Sequence, residues 1–584
     1  MREKKVIFII LGLILVLATG LRLYNLASIP PGPGLDEVSN GYNAYALLKT
    51  GSDEYGKHLP LLLQAYNDFR PAFFVYFTIP FIQLFGLTVF AIRLPSVVLA
   101  VLTTFSLFFL TRGLYTNKPG KEEHHEHSGF YFITVSSLLV SFFYAISPWN
   151  MYSSRFSNEV NMSLSFFVFA LTFFVFSLKK SGYKKAGWIL FFLSVICFVV
   201  SFYSYHGIKL FLPFFIFGLL IIFFKDLFIR KKMVLISISL GILMLIPLFI
   251  VFSNPATRVR LGAVDLLHQN PHIVSSSADR ILFDTTHNDR LGMVFDNRRM
   301  LLFYQLMQNY LRNFDPTWLF LMQDNKSFSI PDFGPFYIFE LPLLLLGIYV
   351  FITTDLISKK IKWMLLVWIG ASIMPSALSG ESPHLNRTNT ILPAFLILMG
   401  IGLTYLLSKI NTIKNFWGRR AGYGGVLVII VFSFLSFLHA YFVDLPYMYS
   451  KSFQYGVVDA FIYARDHEKG VTKIIVANDN NLLEGYMYYL FVNRYNPAVY
   501  QKSGGTQSGF FTDDHTIGRY NFLDFNLIKP AAAVKILHKG DVVMYITNPS
   551  ELSPEVIGLQ HLQLVKTVTF LDGSNAIFIW QGRL

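Results

Sequence analysis

Eleven apolar runs set the terms for this chain, at about 6–25, 90–112, 129–148, 160–178, 186–204, 208–224, 233–252, 336–353, 361–378, 389–407 and 421–443. A hydrocarbon core offers no partner to backbone N–H and C=O groups, so runs of about twenty apolar residues must pair internally as helices. The balance of the chain agrees, with 53% hydrophobic and 14% charged residues, where a soluble domain carries about a quarter charged. The expected class is a mainly α polytopic membrane protein with about eleven spanning helices.

The net charge of +14 invites a nucleic-acid reading, and the placement of the charge answers it. Basic residues crowd alternate connections, as in Lys179, Lys180, Lys184 and Lys185, and again in Lys225, Arg230, Lys231 and Lys232. The short connections on the other side carry only Arg155, Lys209 and Arg387. Positive-inside bias therefore predicts a cytoplasmic N-terminus and an external C-terminus, with no nucleic-acid partner. The first run, after Arg2, Lys4 and Lys5, reads as an uncleaved anchor because it is longer than a signal core. A twelfth apolar stretch, Pro71 to Leu87, would invert the bias if it crossed, so an interfacial or re-entrant helix is expected there.

Two long external loops follow, about 26–89 and 253–335, the second with an amphipathic helix candidate at Met300 to Arg312. The domain division expected is 1–445 for the membrane portion and 446–584 for a small external α/β unit. In the latter, Lys473–Ala477, Asp541–Thr547, Leu564–Leu571 and Ala576–Trp580 read as strands, the last two joined by Asp572-Gly573. Phe453–His467 and Asn481–Asn493 read as helices. Cys197 is the single cysteine, which excludes an internal disulfide and a cysteine metal cluster. The run Lys121-Glu122-Glu123-His124-His125-Glu126-His127 has the composition of a solvated linker as much as of a metal site.

Chemistry concentrates on the external side. Pro30-Pro31-Gly32-Pro33-Gly34-Leu35-Asp36-Glu37 ends the first run and sets two carboxylates at the start of a helix candidate, Val38 to Lys49. The plain reading makes Asp36 an N-cap and Glu37 a favourable charge at the helix start. The functional reading makes Asp36 a general base and puts Glu37 beside it among the catalytic carboxylates. Basic residues at the same membrane level supply cations for a phosphate: Arg70, Arg155, Lys209, His384 and Arg387. Glu159 adds a further carboxylate, four residues after Arg155. The plain alternatives are an Arg155–Glu159 helix pair and snorkelling of Arg155 and Lys209 to headgroups. Tyr205 and His206 read as interfacial aromatics.

These pieces come in a telling order: Asp36-Glu37, Gly51 with Asp53-x-Tyr55-Gly56, Arg70-Pro71, Phe85-Gly86, Arg93-Leu94-Pro95-Ser96, Arg155 with Glu159, and His384-x-x-Arg387 before Leu392-Pro393. In that order and spacing the chain resembles the GT-C-fold glycosyltransferases that use a phospholipid carrier, of the protein O-mannosyltransferase and aminoarabinose-transferase type. The resemblance covers about 1–445 and is strongest in the first 110 residues. It implies transfer of a hexosyl or pentosyl group, with inversion, from a polyprenyl-phosphate donor to a protein, lipid or glycan acceptor at the external face. It also implies Asp36 as base, Glu159 as second acidic position, and Arg70 with Arg387 on the carrier phosphate. Phe69 stands where the aminoarabinose-transferase pattern has an acidic residue, with Asp68 beside it. The first loop lacks the Asp-x-Asp of oligosaccharyltransferases, and the chain lacks their Trp-Trp-Asp-Tyr-Gly motif. No metal or other cofactor is therefore expected to be required, and no metal ligand set is assigned.

Two other classes fit parts of the pattern. A lipid-linked sugar transporter or flippase needs polar residues through the depth of several spans, and the middles of these spans are apolar. A membrane-anchored binding protein needs far fewer spans than eleven.

Overall fold

The computed structural model describes residues 2–66, 68–115, 123–179, 185–253, 271–321, 329–506, 514–523, 537–549 and 551–583. Of Lys121–His127, Lys121 and Glu122 lie outside these residues, as do the side chains of the rest of that run.

All eleven apolar runs are helical. The first seven fall on α1 (Arg2–Leu23), α4 (Val89–Leu114), α5 (Glu123–Ile146), α7 (Glu159–Lys179), α8 (Lys185–Ser204), α9 (Ile208–Ile222) and α11 (Lys231–Phe252). Four more helices follow at Glu340–Thr353, Lys359–Ala377, Leu392–Asn411 and Phe416–His439. Among the described residues eight helices are long and apolar enough to cross a membrane, while Ile208–Ile222 and Glu340–Thr353 are shorter. This is a multi-pass membrane protein. Outward-facing Leu13, Ile242 and Phe432 are each more than half exposed, as expected of side chains that meet lipid.

Hydroxyls and glycines hold the bundle together where apolar contact gives no preference over lipid. Ser201 Oγ donates to Ser163 O at 2.8 Å, joining α7 to α8, and Ser194 Oγ donates to Ala170 O at 2.7 Å in the same pair. The helices Glu340–Thr353 and Leu392–Asn411 touch backbone to backbone. A Cβ on Gly347 would lie 1.9 Å from Leu398 O, and one on Gly402 2.1 Å from Leu343 O.

The first long connection contains α2 (Leu35–Thr50), the antiparallel hairpin β1 (Leu62–Ala65) with β2 (Asp68–Pro71), and α3 (Phe73–Phe85). At 13 residues α3 is, like Ile208–Ile222 and Glu340–Thr353, shorter than the eight helices long enough to cross. The hairpin was not foreseen. Its strands are four residues each, at the lower limit of what alternation can reveal. A short α6 (Pro148–Ser154) precedes α7, and α10 (Phe224–Ile229) joins α9 to α11. In the second long connection the amphipathic candidate is a helix, Arg298–Arg312.

Beyond Leu445 the chain forms a six-stranded sheet, in the order β4-β5-β3-β6-β8-β7. Its strands are β3 (Lys473–Ala477), β4 (His515–Ile517), β5 (Tyr520–Leu523), β6 (Val542–Thr547), β7 (Gln563–Thr569) and β8 (Asn575–Arg583). The central trio β5-β3-β6 is parallel and the flanking pairs are antiparallel. The Asp572-Gly573 turn closes β7 on β8, with Gly573 at φ +83°. Strands β4 and β5 escape the sequence reading because they are three and four residues long.

The sheet unit shares a core with the first connection. Val38, Tyr42, Tyr66 and Ile92 lie in one apolar cluster with Phe461, Tyr486 and Leu490. Gly41 permits the contact, since a Cβ there would meet Phe491 at 2.8 Å and Ile92 at 2.9 Å.

Candidate functional site

The Pro-Gly segment after α1 is shaped by two buried arginines from other helices. Arg155, at the end of α6, gives its terminal nitrogens to the carbonyls of Leu21, Arg22, Tyr24 and Ile29. Arg93, on α4, reaches the carbonyls of Leu26, Pro30 and Gly32. Proline has no N–H and ties up no acceptor, so these carbonyls need donors from elsewhere, and a guanidinium supplies several at once. Arg22, buried under the segment, donates to Ser154 Oγ at 3.0 Å and to Asn150 Oδ1 at 2.5 Å. Gly32, at φ +72°, passes close to the sheet unit, where a Cβ would lie 3.2 Å from Phe453 O. Tyr488 OH donates to Pro33 O at 2.9 Å.

Helix α2 then starts at Gly34, not at Asp36. Gly34 is the N-cap, and Glu37 accepts its N–H at 3.1 Å. The N-cap reading of Asp36 is thereby corrected. Glu37 is buried, with its carboxylate gripped by Arg93 and bonded to Ser157 N at 2.8 Å. Its acceptor sites are spent on structure, so it positions the helix start and faces no open space for a substrate. Asp36, one residue earlier, is 69% exposed. Arg70 Nη2, carried on β2, lies 2.5 Å from Asp36 Oδ1. The Arg70 guanidinium also lies over the Tyr66 ring at 5.5 Å, and Tyr66 OH donates to Leu35 O at 3.1 Å. The hairpin is thus fastened to the first turn of α2, which fixes the Asp36–Arg70 pair. The side chain of Asp68 lies outside the described residues.

From β2 the polar rim continues into the α8–α9 turn. His206 Nε2 lies 2.8 Å from Phe69 O, and His206 Nδ1 lies 3.3 Å from Lys209 Nζ. A carbonyl only accepts and an ammonium only donates, so the ring proton sits on Nε2. The Lys209 ammonium rests over the Phe252 ring at 4.8 Å, and Glu159, at the start of α7, is the carboxylate that acts on its charge. Glu159 therefore belongs with Lys209, whereas the terminal nitrogens of Arg155 are spent on carbonyls. His206, read from sequence as an interfacial aromatic, is a member of this rim.

Arg387 comes to the same turn from the other direction. It lines a small cavity with Tyr205, Gly207, Ile208, Val160 and Asn389. Its Nη2 is 3.3 Å from Glu381 Oε2, and His384 Nε2 is 3.8 Å from the same oxygen. Of the residues singled out by sequence, the fold gathers Asp36, Arg70, Lys209, Glu159, His384 and Arg387 along one end of the bundle. It sends Glu37 and Arg155 underneath, which corrects their reading as substrate-facing groups. Arg93, Arg22 and Tyr488 carry the architecture and were missed as site-shaping residues. Arg93 and Arg22 each had a signal, a cation inside an apolar helix. Among the described residues no three His, Cys, Asp or Glu side chains converge as a metal site.

Beneath this rim lies a groove of about 360 Å³ between α8, α9 and α11, lined by Phe198, Phe202, Leu212, Gly241, Leu245 and Phe249. Its lining is apolar but for Ser194, and Phe249 is one helical turn from Phe252, under Lys209.

No protein-family model and no curated protein sequence matches the chain. Solved structures do. ArnT from Cupriavidus metallidurans in the apo state aligns with TM-score 0.55 and 11% identity, over 100% of this chain and 98% of that one. The chain has the GT-C fold. The same GT-C protein bound to undecaprenyl phosphate aligns with TM-score 0.53 and 11% identity, over 99% and 98% of the two chains. A second GT-C relative is the oligosaccharyltransferase AglB from Archaeoglobus fulgidus, in complex with an inhibitory peptide and a dolichol-phosphate. It aligns with TM-score 0.51 and 13% identity, over 84% of this chain and 64% of that longer one. The match to ArnT runs the full length, so the GT-C architecture here includes the sheet unit and not the bundle alone.

Proposed function

We propose that this protein is a membrane glycosyltransferase that moves a sugar from a polyprenyl-phosphate donor to an acceptor hydroxyl, at the external face of a bacterial cytoplasmic membrane. The observation that carries the reading is the exposed Asp36 carboxylate held by Arg70 on a rim that also bears Lys209 and Arg387. Neighbours with the same fold support it, since ArnT is bound to undecaprenyl phosphate and AglB to a dolichol-phosphate.

In this reaction the acceptor oxygen attacks the anomeric carbon while the bond from that carbon to the phosphate oxygen breaks. The acceptor proton passes to Asp36, and the phosphate keeps the bonding electrons. Attack opposite the leaving group inverts the anomeric centre. A base is effective only within hydrogen-bond reach of the proton it takes, which suits an exposed carboxylate fixed by Arg70. The departing phosphate needs fixed positive charge, and Lys209, Arg70 and Arg387 are the groups assigned to it, with His384 beside Arg387. Glu159 is the counter-charge to Lys209. The apolar groove below Phe252 holds the polyprenyl chain, whose remote binding orients the anomeric carbon. The reaction as written uses no metal.

The test is to incubate the purified protein with a panel of labelled polyprenyl-phosphate sugars and follow release of polyprenyl phosphate. Consumption of at least one donor, dependent on Asp36, is expected. If none is consumed, and vesicles holding the protein instead move a lipid-linked sugar between leaflets, the assignment fails and the transporter reading replaces it.

A further inference from the structure

A second groove lies on another flank of the bundle, between the helices Glu340–Thr353, Lys359–Ala377 and Leu392–Asn411. Its volume is about 600 Å³. Its origin is the close contact at Gly347 and Gly402, which draws Glu340–Thr353 onto Leu392–Asn411 and leaves a slot on the side of Lys359–Ala377. One wall is the stripe Leu341, Leu345, Ile348 and Ile352, and the other is Trp363, Leu366 and Ile369. Phe314, Pro316 and Leu319 close one end, and Lys359 and Lys362 stand at the other.

Polarity and length identify the occupant. Leu341 to Ile352 spans roughly 16 Å at about 1.5 Å per residue, about half of a hydrocarbon core. That matches the acyl chains of one leaflet and is too short for an extended polyprenyl chain. The lysine end is the end remote from Asp36. Pro375, on the same helix as Lys359, lines the Arg387 cavity, and the two residues are separated by roughly 24 Å of helix. Lys362 Nζ donates to Ile352 O at 2.8 Å and to Thr354 O at 2.7 Å, which leaves a third ammonium hydrogen for a ligand. Lys360 pairs with Asp226 and is turned away from this use. Trp363 is 61% exposed beside Lys359, at the level where amphipathic rings meet headgroups. Asp355, on the turn between the helices, is exposed and outside the lining.

We infer that this groove binds one anionic glycerophospholipid, its acyl chains against Leu345, Ile348 and Leu366 and its phosphate on Lys359 and Lys362. The inference is independent of the glycosyltransferase reading. Under the orientation given above, the bound lipid belongs to the cytoplasmic leaflet, where basic pockets between helices hold anionic headgroups.

Native mass spectrometry of the delipidated full-length protein, with phosphatidylglycerol or phosphatidylcholine of identical acyl chains added, tests it. The native protein is expected to retain a phosphatidylglycerol adduct in clear preference to phosphatidylcholine. Lys359→Glu, at an exposed position, is expected to reduce that retention roughly tenfold, as loss and reversal of one headgroup contact would. Leu366→Trp, which fills the groove, is expected to remove it. Equal retention of the two lipids by the native protein would overturn the inference. So would retention unchanged in both variants, or an adduct of polyprenyl phosphate that displaces phosphatidylglycerol from this site.

Discussion

Arg93 holds both oxygens of Glu37, Nε to Oε1 at 3.0 Å and Nη2 to Oε2 at 2.8 Å, while Asp36, the next residue along the chain, stays open to solvent. One turn of helix thus presents two carboxylates with opposite fates. Which is which is set by α4, a helix that starts more than fifty residues later.

Removing Arg93 tests the structural half of that arrangement. Arg93→Ala leaves Glu37 buried without its partner, which costs about 3–5 kcal/mol. It should sharply lower the melting temperature of the detergent-purified protein. Arg93→Lys keeps the charge and loses the fork, so an intermediate loss is expected.

Asp36 tests the chemical half. Asp36→Asn keeps the size and removes the basic form, so turnover should fall by at least about a hundredfold. The melting temperature should barely change, because the side chain is exposed. Near-normal turnover in this variant would show that another group takes the proton.

The arginines separate by role. Arg70→Ala and Arg387→Ala should each weaken donor binding roughly tenfold or more, the worth of a charge-assisted hydrogen bond, with folding retained. Arg155→Ala should instead reduce the yield of folded protein, because the carbonyls of Leu21, Arg22, Tyr24 and Ile29 lose their donors together. Titration of a labelled polyprenyl phosphate, alongside thermal melting, distinguishes the two outcomes.

Glu54 predicts a pH dependence. It is buried between the first connection and the sheet unit, accepting from Asn43 Nδ2 at 3.0 Å, Thr506 Oγ1 at 2.9 Å and Tyr486 OH at 3.3 Å. Burial raises its carboxyl from the usual 4.5 to about 7. The folded state therefore binds this proton more tightly than the unfolded chain, and stability falls as pH rises between those values. The full contribution, about 3 kcal/mol, is present below about 4.5 and lost above about 7. Melting temperatures measured from pH 5 to 8 should decline in the native protein. Glu54→Gln should flatten that decline, and a slope unchanged in this variant would assign it to other groups.

How much was legible without coordinates follows from these residues. The apolar runs had to be helices, because length and hydropathy leave no alternative inside a bilayer, and each of them is. Asp36, Arg70, Lys209, Glu159 and Arg387 were visible as charges at the ends of apolar runs, where an ionisable group is costly enough to call for a reason. Arg155 looked the same in sequence and has a different task, because a charge at a helix end carries no record of which carbonyls surround it. The shared core of Val38, Tyr42 and Ile92 with Phe461 and Tyr486 was equally hidden. Each side reads as an ordinary amphipathic face, and nothing local reveals that the two faces meet.

The amino-acid order by itself determined the helical bundle, its apolar flanks and the charged rim, because these depend on hydropathy and spacing along the chain. Only the tertiary structure decided that Asp36 is offered and Glu37 withheld, that Arg155 braces a loop, and that His206 links β2 to Lys209. Those are contacts between residues far apart in sequence, and their energy depends on geometry that no local pattern encodes.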